Sequence, residues 1–325
     1  MTFLVLQFIL ALLLLNKSAD WFARGTALVA ELTGMPRLLM GAILGGFVAA
    51  IPEKLVACIA AWNNHSEIAL GNGIGSVTFI CVEMGICLLL TRTPLEKAWF
   101  RDHGIAMLTS CLVLSAFCLR DAITWPVGLL FVLLAAFYVV WSVVTAQRDP
   151  LAARQAEAAI EETIGEKSAI QHRWYVAALL LGISIPLLFL SSDWLVHIAV
   201  KMASAWGLSE SVIALTLVAV GTSLPELATT IAATRRGHLD TAIGMIFGEG
   251  IFVGMGAIGL SSLFGRLPIT TANRLFDIPV MLLGVILPFV PLLFGKMPGR
   301  LMGCILLIGY AVYVYALFTF YGIFE

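Results

Sequence analysis

The stretch "LLLGISIPLLFLSSDWLVHIAV", residues 179–200, is long and apolar enough to cross a bilayer as one helix, a crossing that takes about 20 residues. Comparable runs recur along the chain, at roughly 2–30, 36–61, 66–90, 104–119, 123–145, 173–203, 209–233, 238–264, 276–295 and 300–322. Hydrocarbon offers the backbone no hydrogen-bond partners, so such runs must fold as helices that satisfy their own N–H and C=O groups. The expected fold is an all-α integral membrane protein of about ten transmembrane helices. Composition agrees: 60% of the 325 residues are hydrophobic, 12% are charged and the mean hydropathy is +0.99. A net charge of −1 gives no handle on nucleic acid. The six cysteines fall in apolar stretches without metal-ligand spacing and read as small core residues. The N-terminal "MTFLVLQFILALLLLNKSAD" lacks the basic start of a signal peptide and reads as a retained first helix.

The chain also repeats itself. Shifted by 173 residues, "SADW" (18–21) meets "SSDW" (191–194), "IPEK" (51–54) meets "LPEL" (224–227), and "IALGNGIGSVTF" (68–79) meets "TAIGMIFGEGIF" (241–252). Between Ser18 and Phe79, 14 of 62 gapless positions are identical, where composition alone gives about five. Five helices per repeat is an odd number, so the second repeat enters the membrane from the opposite side, as in many transporters. The organisation expected is a first five-helix repeat at 1–145, a cytoplasmic linker at 146–172 and an inverted second repeat at 173–325. Twelve of the 19 basic residues lie on the linker's side and four on the other. The positive-inside rule then places both termini outside, in an inner or plasma membrane of bacterial type.

Within this frame "AVGTSLPELATTIAA" (219–233) is unusual, because it sets Pro225 and Glu226 in the middle of a span. A carboxylate in lipid is costly and marks a functional site by default. Pro225 cannot donate to the carbonyl of Gly221, which is freed for another partner. Thr222 and Ser223 stand at i−4 and i−3 from Glu226 on one helical face, and Thr229 and Thr230 continue it. Carboxylate, hydroxyl and carbonyl oxygens together suit a hard cation such as Ca²⁺, Na⁺ or Mg²⁺. The repeat supplies a second such focus at Pro52 and Glu53.

The segment "GTSLPELATTIAATRRGHLDTAIGMIFGEGIF" resembles the α-repeat of the calcium/cation antiporter superfamily, which includes the sodium/calcium exchangers. The family pattern is a G-T-S-x-P-E helix followed by a G-N-x-x-G-S-N helix, and the resemblance extends over nearly the whole chain. It implies that Glu53, Glu226, Thr222 and Ser223 bind the transported cation. Asn72 and Ser76 in "GNGIGSV" match the second helix of the pattern. Gly221 and Glu249 complete the candidate set, Glu249 standing where the family has the serine.

The sequence also departs from the pattern. Ala49 and Ala50 replace the Thr and Ser of the first motif, Val77 replaces an Asn, and Met245 and Gly250 replace the Asn pair of the second repeat. Ile80 and Val253 stand where the family often has Asn or Asp. Lys54 follows Glu53 directly and is expected to pair across helices with Glu249 or Glu83, since neighbours at i and i+1 do not face each other. Glu83, two turns past Ser76, is a candidate for the entrance or for an ion pair. Asp20 with Arg24, and Asp193 with His197, read as intrahelical pairs. His65 and His238 read as capping or solvated residues, and the C-terminal "YAVYVYALFTFYGIF" as an interfacial aromatic belt.

No nucleotide, haem or hydrolase motif is present, so no cofactor and no enzymatic role are expected. The function expected is secondary antiport of Ca²⁺ or a similar hard cation against H⁺ or Na⁺. The alternative is a degenerate or repurposed exchanger fold with an accessory role. Retention of both glutamates with a third acid added favours antiport, because a decayed site sheds costly buried charge. Three clustered acids cannot all ionise easily in a low dielectric, which favours H⁺ as the coupling ion and Glu249 as its carrier.

Overall fold

The computed structural model describes residues 2–33, 48–91, 97–146 and 173–320. Eleven helices form among them: α1 (Thr2–Leu32), α2 (Ile51–Trp62), α3 (Ser66–Leu90), α4 (Lys97–Phe117), α5 (Trp125–Ala146) and α6 (Arg173–Trp206). The remainder are α7 (Glu210–Thr222), α8 (Leu224–Arg235), α9 (Leu239–Ser261), α10 (Asn273–Leu293) and α11 (Arg300–Phe320). Seven of them are long and apolar enough to cross a membrane, and α7 with α8 form an eighth candidate bent by 46°. α4 is apolar only over His103–Phe117, and the span expected at 36–61 is described only from residue 48. The linker expected at 146–172 lies, but for Ala146, outside the described residues.

The two proline–glutamate motifs fold alike. Each opens a 12-residue helix, α2 at Ile51 and α8 at Leu224, with the proline in the first turn, where its missing N–H leaves no gap. The preceding residues, Ala50 (φ −81°, ψ 24°) and Ser223 (φ −88°, ψ 6°), break the chain at equivalent places. The turns that follow also correspond. Asn64 (φ 64°) and Gly237 (φ 88°) hold the left-handed conformation that Gly takes freely and Asn tolerates. His65 and His238 then cap α3 and α9 at nearly identical dihedrals.

α3 and α9 are the buried centre of the bundle, whereas α1, α5, α6, α10 and α11 turn much of their surface outward. α1 lies along α6, the first helices of the two repeats side by side. Small residues let α3 approach α7 closely: a Cβ on Gly75 would stand 2.7 Å from both the Leu215 carbonyl oxygen and the Ala219 Cβ. In lipid such close backbone contact replaces the hydrophobic drive that assembles soluble cores.

Several turns meet at one end of the bundle. His65 Nδ1 lies 3.0 Å from the Glu210 carboxylate, and Ser66 donates to the Arg266 carbonyl at 2.9 Å. Arg274 pairs with Asp121 at 2.9 Å, and β1 (Ala122–Ile123) pairs antiparallel with β2 (Leu267–Pro268). His65 therefore both precedes α3 as its cap and contacts the Glu210 carboxylate. The intrahelical pairs form as expected, Arg24 to Asp20 at 3.0 Å and His197 to Asp193 at 3.4 Å. Four of the cysteines are buried, Cys58 is half-buried and Cys304 faces outward. The aromatic belt needs correction at two positions. Tyr313 is 3% exposed and donates to Asp277 at 3.2 Å, and the Tyr310 hydroxyl is also buried. Tyr313 faces the interior, where its hydroxyl serves Asp277, sealed within α10.

Candidate cation site

The break before α8 and the start of α2 bring their glutamates toward α3 and α9. Glu53 and Glu226 each lie in the first turn of a helix, where unpaired N–H groups favour negative charge. Glu53 is fully enclosed at 0% exposure. Glu226 is partly exposed as a residue, although its Oε2 is sealed. Asn72 fixes the first motif by donating to the Glu53 backbone carbonyl at 3.1 Å. Ser223 donates to Glu53 Oε1 at 3.3 Å, and Thr222 donates toward Asn72 Oδ1 at 3.4 Å. The second motif thus reaches the first through its hydroxyls, and the expected grouping of Glu53, Asn72, Thr222 and Ser223 is present.

Glu249 comes from α9, and its carboxyl lies in the electrostatic neighbourhood of Glu83, Glu53 and Ser223. Glu83 is 0% exposed, packed against Glu249 rather than set at an opening. A row of acids therefore runs from Glu226 and Glu53 past Ser223 to Glu249 and Glu83. Its oxygens are short of donors: Glu53 Oε2, Glu226 Oε2, Glu249 Oε1 and both Glu83 oxygens are buried with no hydrogen-bond partner, as is the Ser76 hydroxyl of α3. Buried polar atoms are normally paired, and a concentration of exceptions calls for an explanation. Among the described residues, no three acid, histidine or cysteine side chains are placed to hold a metal ion by themselves. A cation here must also draw on neutral oxygens, and the Thr222 and Ser223 hydroxyls stand by Glu53.

Some expected ligands have other partners. The Gly221 carbonyl accepts from Asn16 Nδ2 of α1 at 3.2 Å, so the oxygen freed by Pro225 already has one donor and only its second lone pair is open. Thr229 and Thr230 donate to the backbone carbonyls of Pro225 and Leu227, at 2.9 and 3.1 Å, within their own helix. Lys54 is 4% exposed, and the charges of Glu53 and Glu226 act on it. Its Nζ lies 5.4 Å over the Phe252 ring of α9. Sequence reasoning missed Asn16, whose partner is 205 residues away. It also missed Asp277, although an Asn and an Asp at i, i+4 in an apolar run was a readable signal.

Short π-helical turns flank the site. They run over Ala214–Val218 within α7 and Phe252–Ala257 within α9. Such turns re-aim the residues beyond them and recur at functional sites. Here they lie just before the Thr222–Ser223 break and just after Glu249.

Comparison with known proteins agrees with this fold. The family model described as sodium/calcium exchanger protein matches residues 3–144 and 176–319, one block for each repeat. The putative antiporter CaxA of Alkalimonas amylolytica is 30% identical over 319 residues, which is 96% of this chain and 97% of that protein. The inner membrane protein YrbG of Escherichia coli is 28% identical over 95% of each chain. The solved structure of the sodium-calcium exchanger NCX_Mj, soaked with Na⁺ and Sr²⁺, superposes with a TM-score of 0.62 at 25% identity, covering 98% of this chain and 99% of that one. With both repeats matched and the fold shared from end to end, the chain belongs to the sodium/calcium exchanger family.

Proposed function

We propose that this protein is a secondary antiporter that exchanges Ca²⁺, or a similar hard cation, for H⁺ or Na⁺. One observation carries the reading: Glu53, Glu226, Glu249 and Glu83, from four helices, act on one another electrostatically and each keeps a buried oxygen without a hydrogen-bond partner. Glu53, Glu226, Thr222, Ser223, Ser76 and Asn72 form the cation's surroundings, with Glu249 as a third acid. The putative antiporter CaxA and the exchanger NCX_Mj support cation exchange as the activity. A decayed accessory protein is disfavoured, because so many unpaired acids would be a standing cost with no use.

H⁺ is the favoured counter-ion. The contact of Glu249 with Glu83 supports it, since two facing carboxyls without a donor are relieved by a shared proton. Ten spans in two inverted repeats, the 146–172 linker in the cytoplasm and both termini outside complete the proposal. The inner-membrane relative YrbG supports the location. A cysteine placed at Ala158 should label only from the cytoplasmic face.

Ion flux in proteoliposomes tests the function, with Ca²⁺, Mn²⁺ and Mg²⁺ driven separately by Na⁺ and pH gradients. Ca²⁺ uptake that follows the pH gradient is expected, with Glu249→Ser weakening that dependence. Uptake that follows Na⁺ and ignores pH would refute H⁺ coupling, and no cation flux under any gradient would refute antiport.

A further inference from the structure

Among the described residues, Lys54 is the cation whose charge acts on both Glu53 and Glu226, and nothing in the exchange reaction requires it. Its counterpart in the second repeat is Leu227, and the two backbones correspond closely: Lys54 N–H bonds the Ala50 carbonyl at 3.3 Å and Leu227 N–H bonds the Ser223 carbonyl at 3.1 Å. The lysine belongs to the repeat that lacks hydroxyls at 49 and 50, while the repeat with leucine keeps Thr222 and Ser223. Where neutral oxygens for a loosely held monovalent ion are missing, a covalently attached ammonium stands.

The side chain has a place of its own. Its stem runs from α2 to the π-helical turn of α9, and a Cβ on Gly256 would come within 3.2 Å of Lys54 Cε. Phe252 offers its ring face 5.4 Å from Nζ, an electrostatic resting site for a cation. Glu53 and Glu226 supply the opposing attraction. The ammonium therefore has two favourable surroundings close together, an aromatic face and a carboxylate pair.

We propose that Lys54 is a tethered counter-cation of the transport site, its ammonium taking a monovalent ion's place beside Glu53 and Glu226 whenever the transported cation has left. This rests on the antiport reading. A carrier that releases a divalent ion exposes two buried carboxylates to each other, which is unfavourable unless positive charge replaces it. With the ammonium as one replacement, one fewer monovalent ion accompanies each cycle. An arriving divalent ion displaces the ammonium, which withdraws onto Phe252.

The test uses Lys54→Leu, which copies Leu227, and Lys54→Ala. In proteoliposomes, the ratio of monovalent charges to Ca²⁺, read from the gradients at which net flux vanishes, should rise by one in Lys54→Leu. An unchanged ratio would overturn the proposal. A second readout needs no transport: the melting of purified Lys54→Ala, with propylammonium chloride or choline chloride added. Propylammonium should stabilise this variant, Ca²⁺ should cancel the gain, and the unaltered protein should not respond. Equal melting in the two salts would overturn the proposal even if the unaltered protein moved no ion, so failure of the antiport reading remains separate. Should neither variant assemble, Phe252→Leu reads the same competition. Removing the resting site should weaken the half-saturation for Ca²⁺ by roughly threefold to thirtyfold, and an unchanged value would contradict the proposal.

Discussion

Replacing Gly75 by alanine adds a single methyl group at the point where α3 crosses α7. That carbon would stand 2.7 Å from the Leu215 carbonyl oxygen and 2.7 Å from the Ala219 Cβ. Neither neighbour can rotate away, since one is backbone and the other is fixed to it. Ordinary contact needs about 3.4–4 Å, so the helices must separate by roughly 0.7 Å or more. Overpacking of this kind costs about 1–3 kcal/mol, against a gain of up to about 1 kcal/mol from the better helix propensity of alanine. Gly309 on α11 isolates the second effect, because nothing lies within 4 Å of a Cβ there. Gly75→Ala should melt below Gly309→Ala by roughly 2–10 °C in detergent. The same separation pulls Thr222 away from Asn72, whose contact is already 3.4 Å, so Ca²⁺ affinity should fall as well. Equal melting of the two variants would refute the close-crossing argument, and lowered stability with unchanged affinity would detach the crossing from the site.

Ser223→Ala removes the donor to Glu53 Oε1 and a neighbour of Glu249. A hydrogen bond to a charged group contributes about 1.5–3 kcal/mol, so Ca²⁺ half-saturation should weaken by roughly 10- to 150-fold; flux titration checks this, and a shift under twofold would count against the role. Tyr313→Phe leaves Asp277 with one donor fewer in a buried place. It should lower stability by about 1–3 kcal/mol without changing cation selectivity, as melting and competition flux would show.

The parts legible in the sequence were those fixed by short range along the chain. Pro52 and Pro225 set the helix starts, Asn64 and Gly237 set the turns after them, and His65 and His238 follow with matching backbones. The identical prolines and histidines helped give away the repeat, while Asn64 and Gly237 differ as residues yet meet the same backbone requirement. Helical spacing likewise placed Thr222 and Ser223 near Glu226. What escaped depends on how helices turn toward one another, which no spacing encodes. Asn16 reaches Gly221 from the far end of the chain, and Glu83 finds Glu249 on another helix. Lys54 was expected to avoid Glu53 by the rule for adjacent residues. That rule concerns which way two side chains point, whereas the charge of Lys54, held over Phe252 of α9, still acts on the buried Glu53.

The most direct measurement of the central claim compares Ca²⁺ flux in Glu53→Gln and Glu226→Gln with that of the unaltered protein. Glutamine keeps the shape, and at position 53 an acceptor for Ser223, but removes the charge that offsets the cation's lost hydration. Both variants should fold, melt near the unaltered protein and lose flux. Folded variants that carry Ca²⁺ at the unaltered rate would contradict the assignment of this carboxylate pair to the transported ion.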